Sequence, residues 1–359
     1  MKIGVLTYHR SHNYGALLQA LALRYKLTEM GHEVCFIDYW PKYHQDMYSL
    51  FSMRYVLHCS KINVVKYILN AILYWNRRKK RIDEFEQFIG EYIVPYCAEY
   101  SDKNEYDIIV YGSDQIWRKQ PGLSNHFNPV YFADNILHAK KHMSYAASMG
   151  MLKLDIEDYS FLRMKMKNFF KISVREKSLK EILETIGVNA QIVLDPTLLL
   201  TKTVWDELFP IKRLYDERYI LYYRLSRSFD EKIVADFAKR KGCRLLILDG
   251  VVRMTKNKTI FSANPLQFLS LIKYADFVFS SSYHGMVFSL IFNKEFYACF
   301  PVNEERRAKS LLDILNLSNR LLFQKDEIAY NIEKIDYKNV NRRIEELRAF
   351  SLEFLQLSM

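Results

Sequence analysis

Cysteine, proline and glycine are all scarce in this chain of 359 residues, which carries five, eight and 11 of them. The cysteines (Cys35, Cys59, Cys97, Cys243 and Cys299) lie far apart, are odd in number and form no C-x-x-C pair. This argues against a disulfide framework and a structural zinc site, and fits a reducing cytoplasm. So little glycine and proline leaves no room for long linkers or low-complexity tracts. Long apolar runs are missing too: none approaches the roughly 20 residues of a membrane-spanning helix. The opening MKIGVLTYH reads as a strand and not as a leader peptide. The chain contains no G-x-G-x-x-G, no Walker loop, no H-E-x-x-H and no G-x-S-x-G. Dinucleotide binding, P-loop hydrolysis, metal-assisted hydrolysis and acyl-serine chemistry therefore find no support, and neither a cofactor nor a metal is expected.

What is present is a globular composition, 50% apolar and 26% charged, long enough for two domains. A net charge of +11 favours anionic partners. Nucleic acid is suggested by the charge alone and is not expected.

The order of elements is informative. A short apolar run, Met1–Tyr8, leads through the loop Ser11–Gly15 into a helical pattern closed by Gly31, then into a strand at Val34–Asp38. This is one βαβ unit. YDIIVY at Tyr106–Tyr111 and the run Lys141–Ser148 continue the strands. Tyr55–Phe88 reads as helical, and Met164–Phe170 as a basic helical stretch. The alternation restarts with KISVRE and AQIVLDP, and continues through RYILYYRL, CRLLILDG, DFVFS and EFYACF with helices between them. The fold class is therefore α/β, as two doubly wound, Rossmann-like domains facing a cleft. Residues 1–168 and 169–335 are expected as the two domains, and 336–359 as a C-terminal helix.

In such sheets ligands bind at the carboxyl ends of strands, which selects the candidates. The loop SSYHG (Ser281–Gly285) joins a buried strand to a helix expected from Met286. Backbone N–H groups at a helix start bind phosphate or carboxylate, Gly285 allows close approach, and His284 can carry a proton near neutral pH. A helix cap with a structural histidine is the plainer reading. Arg175 ends a strand, where a guanidinium suits bidentate anion binding; a salt bridge to Glu176 or another nearby acid is the commoner reading of an isolated arginine. Asn13, Tyr14 and Gly15 open the first helix. Asp114 and Gln115 follow the YDIIVY strand, where Asp114 suits a general base or an Asx turn. Asp195 is expected to end a strand and cap the next segment. The segment Val64–Arg81 joins apolar residues to Arg77, Lys79, Lys80 and other basic residues, which suits an anionic membrane surface or a packed helix with a solvated end.

Six blocks carry a resemblance: NYGALLQALAL, YDIIVYGSDQIW, SYAASMG, ISVREKS, VLDPTLLL and ADFVFSSSYHGMVFSLIF. In order and at similar spacings they resemble the polysaccharide pyruvyl transferase family, from about residue 2 to about residue 320. The resemblance implies a fold similar to the GT-B glycosyltransferases. It also implies transfer of a pyruvyl group from phosphoenolpyruvate, as co-substrate, to two hydroxyls of a saccharide acceptor. It implies donor binding by Arg175 and by Ser282, Tyr283, His284 and Gly285. At the position of Ser282 relatives carry a second arginine, so phosphate binding here would lean on backbone N–H groups and on Arg306 or Arg307. The roles that follow are His284 as proton donor to the methylene carbon, Arg175 as charge clamp and Asp114 as base. Asn13, Tyr14, Gly15, Asp114 and Gln115 would stand on the acceptor side. The setting implied is cytoplasmic, in synthesis of capsule, exopolysaccharide or another cell-envelope glycan. A lipid-linked acceptor would bring Val64–Arg81 to the inner face of the membrane. Two other readings share the architecture: a glycosyltransferase using a nucleotide-sugar, for which no ribose-binding acid is clearly placed, and a non-catalytic glycan-pathway protein, against which the intact Arg175 and His284 stand.

Overall fold

The computed structural model describes every residue except 52–60, 121–122, 125, 151–152, 226–228, 250–258, 261, 303, 324–327, 329–332 and 359. The chain begins as expected: strand β1 (Lys2–Leu6), helix α1 (Tyr14–Glu29) and strand β2 (Glu33–Asp38). The N-cap of α1 is Asn13, whose extended backbone (φ −133°, ψ 123°) lets its side chain accept from the N–H of Ala16. Next come α2 (Lys42–Tyr48), α3 (Lys61–Leu73) and α4 (Trp75–Tyr92). The helical pattern expected over 55–88 thus divides at Tyr74 into two helices, and its part 55–60 lies outside the described residues. Strands β3 (Cys97–Glu99), β4 (Glu105–Tyr111) and β5 (His138–Ser144) complete a parallel sheet of order β3-β2-β1-β4-β5.

Helix α5 (Ile156–Lys165) leads to β6 (Ser173–Val174), α6 (Lys177–Thr185) and β7 (Gln191–Ile192). The expected boundary at 168/169 falls just before these two strands, which pair with each other and touch the edge of the first sheet through isolated bridges. The N–H of Ser144 donates to the carbonyl of Lys171 at 3.0 Å, that of Ala147 to Ser173 at 3.1 Å, and that of Gln191 to Ile172 at 3.0 Å. Arg175 thus follows a strand that lies against the edge of the first sheet. Sequence alternation alone does not say which sheet a strand joins.

After α7 (Lys202–Leu208) the second sheet forms from β8 (Tyr219–Arg224), β9 (Arg244–Asp249), β10 (Thr259–Ile260), β11 (Phe277–Ser280), β12 (Phe296–Cys299) and β13 (Leu321–Leu322). Its order is β10-β9-β8-β11-β12-β13, and all its pairings are parallel. Helices α8 (Glu231–Arg240), α9 (Pro265–Lys273), α10 (Tyr283–Ile291) and α11 (Arg306–Ile314) connect the strands. In both sheets the strand order reverses beside the first strand of the unit, between β1 and β4 and between β8 and β11. The expected fold class, two doubly wound α/β units, is the one present.

Helix α12 (Tyr337–Ser358) closes the chain and crosses back onto the first unit, where Ser351 Oγ accepts from the N–H of Leu194 at 3.0 Å. An apolar core runs through both units, from Ile3 and Leu17 to Phe268 and Phe288. Tyr14 is its bridge: its ring stacks on Phe268 with centroids 4.5 Å apart, and its hydroxyl donates to the carbonyl of Ala263 at 2.8 Å. No helix among the described residues is long and apolar enough to cross a membrane.

Candidate active site

A cavity of about 520 Å³ opens where the two reversal points face each other. Its wall holds Ser11 and Asn13 after β1, Asp114 and Gln115 after β4, Leu225 after β8, and Ser281–His284 after β11. Four carboxyl-terminal loops from two sheets thus converge on one space, which is where doubly wound folds place ligands.

The β4 loop is shaped by backbone constraints. Gly112 has φ 122°, and a Cβ there would lie 2.3 Å from the carbonyl oxygen of Tyr145. Asp114 follows at φ 73°, a left-handed conformation that aspartate tolerates better than most residues. Its carbonyl accepts from the N–H of Ser148 at 2.9 Å, which fixes the carboxylate at the cavity wall.

Arg175 stands behind that wall. Its side chain is fully buried and does not line the cavity. Nη2 donates to Asp114 Oδ1 at 3.0 Å and Nη1 to Asp195 Oδ2 at 2.5 Å. Its guanidinium is a buried fork holding these two carboxylates, with Glu176 Oε2 3.9 Å from Nε. Burial alone would raise both carboxyl pKa values. The charges of Arg175, His284 and Arg307 outweigh it at Asp114, and those of His284 and Arg175 at Asp195, so both are held below the ordinary carboxylate value. Asp114 is therefore an ionised but weak base.

Helix α10 starts at Tyr283, a turn earlier than Met286, because Ser282 already has the extended backbone of an N-cap (φ −120°, ψ 134°) with no side-chain cap bond. His284 consequently sits in the first turn, at the positive end of the helix dipole. Its Nε2 lies 3.4 Å from Asp195 Oδ2, within ion-pair range, yet makes no hydrogen bond. The other side of the ring lies against α1: a Cβ built on Gly15 would be 1.9 Å from His284 Nδ1. The imidazole is thus held between an aspartate of the first sheet's edge and the glycine that opens the first helix. Gly285 serves packing, since a Cβ there would meet Ser280 Oγ at 2.2 Å and Tyr223 Cδ1 at 2.7 Å.

Cations reach the cavity from α11 and from the β4 loop. Arg306, Arg307 and Arg118 line it, together with the acids Asp114 and Glu304. With the Gln115 amide turned so that its oxygen faces α11, Arg307 donates to it from Nη2 at 2.8 Å and Nη1 at 3.2 Å. Arg307 has no carboxylate partner within ion-pair distance among the described residues. Burial, and then the like charge of Arg175, lower its pKa, so its positive charge is under-compensated. The Tyr283 ring lies between the guanidinium groups, 4.9 Å from that of Arg175 and 5.4 Å from that of Arg307. A second imidazole on the wall, His44, is neutral at pH 7, because burial pushes its pKa down to about 4.

Of the residues selected from sequence, Asn13, Asp114, Gln115, Ser282, Tyr283, His284, Arg306 and Arg307 face the cavity. Tyr14, Gly15, Arg175 and Gly285 do not; they brace those that do. Asp195 caps the following turn as expected, through Oδ1, but Oδ2 joins Arg175 to His284. The rule that selected Arg175, a charged residue at a strand's carboxyl end, would have selected Asp195 too. Arg118 gave no signal.

The contact between Gly15 and His284 makes a stability prediction. Gly15→Ala is expected to cost about 1–3 kcal/mol in thermal or denaturant unfolding, the usual range for overpacking. Gly90→Ala, in helix α4 with nothing within 4 Å of a built Cβ, is expected to be neutral or slightly stabilising. Equal stability of the two variants would show that the ring is not held as described.

Comparison with known proteins adds a family. A family model described as polysaccharide pyruvyl transferase matches residues 13–302. No curated protein sequence matches the chain. Among solved structures, a UDP-GlcNAc 2-epimerase from Neisseria meningitidis, bound to UDP-GlcNAc, aligns over 100% of this chain and 94% of its own, at 10% identity and a TM-score of 0.44. A glycosyltransferase from Streptomyces nogalater aligns over 100% of both chains, at 10% identity and a TM-score of 0.42. An E. coli heptosyltransferase with ADP aligns over 97% of this chain and 100% of its own, at 9% identity and a TM-score of 0.37.

Proposed function

The chain belongs to the polysaccharide pyruvyl transferase family, and from that premise we propose that it moves a pyruvyl group from phosphoenolpyruvate onto a saccharide, forming a cyclic ketal. The observation that carries this reading is the convergence of an under-compensated guanidinium, an uncapped helix N-terminus and an imidazole on one wall of the cavity. Phosphoenolpyruvate has two anionic groups beside one carbon that must be protonated. Arg307, Arg306 and the first N–H groups of α10 suit the anions. His284 suits the proton.

In the proposed reaction His284 protonates the methylene carbon, which becomes the ketal methyl group. A sugar hydroxyl adds to the adjacent carbon as it becomes electron-poor, losing its proton to a base. A second hydroxyl then adds to the same carbon as the bond to the phosphate oxygen breaks, its proton passing to the departing phosphate, and inorganic phosphate leaves. Asp114, across the cavity and ionised, is our candidate for the first hydroxyl's base. Its pairing with Arg175 fits it better to orienting that hydroxyl than to holding the proton. Asp195 and Arg175 are positioning residues in this scheme.

Thermal unfolding with phosphoenolpyruvate, pyruvate, phosphate and a panel of nucleotide-sugars tests it. A ligand that binds only the folded state stabilises it, by about 2.7 kcal/mol at a hundred times its dissociation constant, and so raises the midpoint with concentration. A rise with phosphoenolpyruvate is expected, and Arg307→Ala should remove most of it. A response to a nucleotide-sugar alone would replace this reading with glycosyl transfer.

A further inference from the structure

We propose that the outward face of α3, with the start of α4, is a docking surface for an anionic lipid bilayer. Along α3, Val65, Leu69, Ile72 and Leu73 recur at i, i+4, i+7 and i+8, so they share one face. That face is turned to solvent, with exposures of 57%, 61%, 70% and 68%. The opposite side is already satisfied, since Ala71 and Tyr74 are buried. The helix is thus apolar on both sides, and packing accounts for only one. Trp75 follows, 44% exposed, and tryptophan favours the boundary between apolar and wet layers. Immediately after it Arg77, Lys79 and Lys80 are exposed on the first turns of α4.

An exposed aliphatic stripe edged by tryptophan and then by basic residues is the pattern of a helix lying in a membrane interface. The charge selects the lipid: basic side chains beside the apolar face complement an anionic surface and have nothing to gain from a neutral one. At 13 residues α3 is far too short to span a bilayer, so it lies in the plane.

The opposite, packed side of α3 is the one turned toward α2 and the cavity. Met47 and Tyr48, at the end of α2, line it. A few residues on, the ring of Phe51 lies 5.5 Å from that of Tyr67 on α3. Met47 and Phe51 are themselves 58% and 37% exposed. The docking proposal does not depend on the transferase reading.

Flotation of the full chain with phosphatidylglycerol–phosphatidylcholine vesicles tests the docking directly. The chain is expected to float with them, to be released as salt rises, and to stay behind with pure phosphatidylcholine. A basic side chain near an anionic surface is worth about fivefold in binding, so Lys79→Glu with Lys80→Glu should weaken it at least on the order of 25-fold. Leu69→Ser with Ile72→Ser and Leu73→Ser should bring it to background, with an unchanged unfolding midpoint and an unchanged response to phosphoenolpyruvate. No flotation at low salt, or flotation indifferent to both sets, would overturn the proposal. So would a dimer that the serine variant dissociates, which would give the face to a second copy. A chain that floats but ignores phosphoenolpyruvate would keep the docking and lose the donor.

Discussion

His284→Gln is expected to lower pyruvyl transfer by roughly 10²–10⁴-fold, the range general acids contribute, while the chain stays folded. Glutamine fills much of the same space and can still hydrogen-bond, but it cannot deliver a proton to carbon. The fold should survive, because Nε2 makes no hydrogen bond in the resting structure, although some stability is lost with the imidazole's charge beside Asp195. The donor should still bind, since Arg307 and the α10 N-terminus remain. The fall should therefore appear in kcat, with KM for phosphoenolpyruvate within a few-fold of the parent, the pattern of an interaction made only in the transition state. A steady-state comparison of the two proteins is enough. A variant turning over at the parent's rate would leave His284 a structural residue, and another acid would have to be sought on the wall.

Much of this site was legible in the sequence, and the part that was not has a physical reason. The alternation of short apolar runs with helical spacing located β1, α1 and β2, because those patterns follow from which face of an element is buried. The strand-end rule found Asp114 and His284, since both lie in loops after apolar strands. Arg175 was found by the same rule, and a salt bridge to an acid was among its readings, but two of the acids it meets could not be named from their position in the sequence. Asp114 and Asp195 stand 61 and 20 residues away and are brought to it only by the bridges that set the β6-β7 pair against the edge of the first sheet. The interdomain role of Tyr14 escaped for the same reason, as Ala263 lies 249 residues on. The division of the long helix at Tyr74 was hidden because the apolar and basic stretches are each good helix formers, and nothing between them breaks a helix by composition.

Arg175→Met should show the other large effect, in stability. Methionine keeps the length of the side chain and removes the charge, leaving two buried carboxylates without the cation that both contact. Breaking a buried ion pair in this way costs about 3–5 kcal/mol. For a chain of this size that lowers the unfolding midpoint by roughly five degrees. The pH dependence separates lost charge from lost packing. In the parent, Asp114 and Asp195 have pKa values below those of the unfolded chain. Their contribution is complete above the unfolded carboxylate value of about 4 and fades as pH falls through the lower folded values. In the variant, burial is no longer opposed by Arg175, though His284 and Arg307 still face the pair. The folded pKa values rise, and with them the sign: stability now falls as pH rises through them. The deficit relative to the parent should therefore be largest at pH 7 and shrink toward pH 5. Arg175→Lys should recover little, since an ammonium cannot offer two separated N–H groups to two carboxylates. A deficit equal at both pH values would mean that packing, and not charge, is what Arg175 supplies. One below about 1 kcal/mol would mean that Asp114 and Asp195 hold their places without it, and the route by which the first sheet's edge orients His284 would have to run through the backbone.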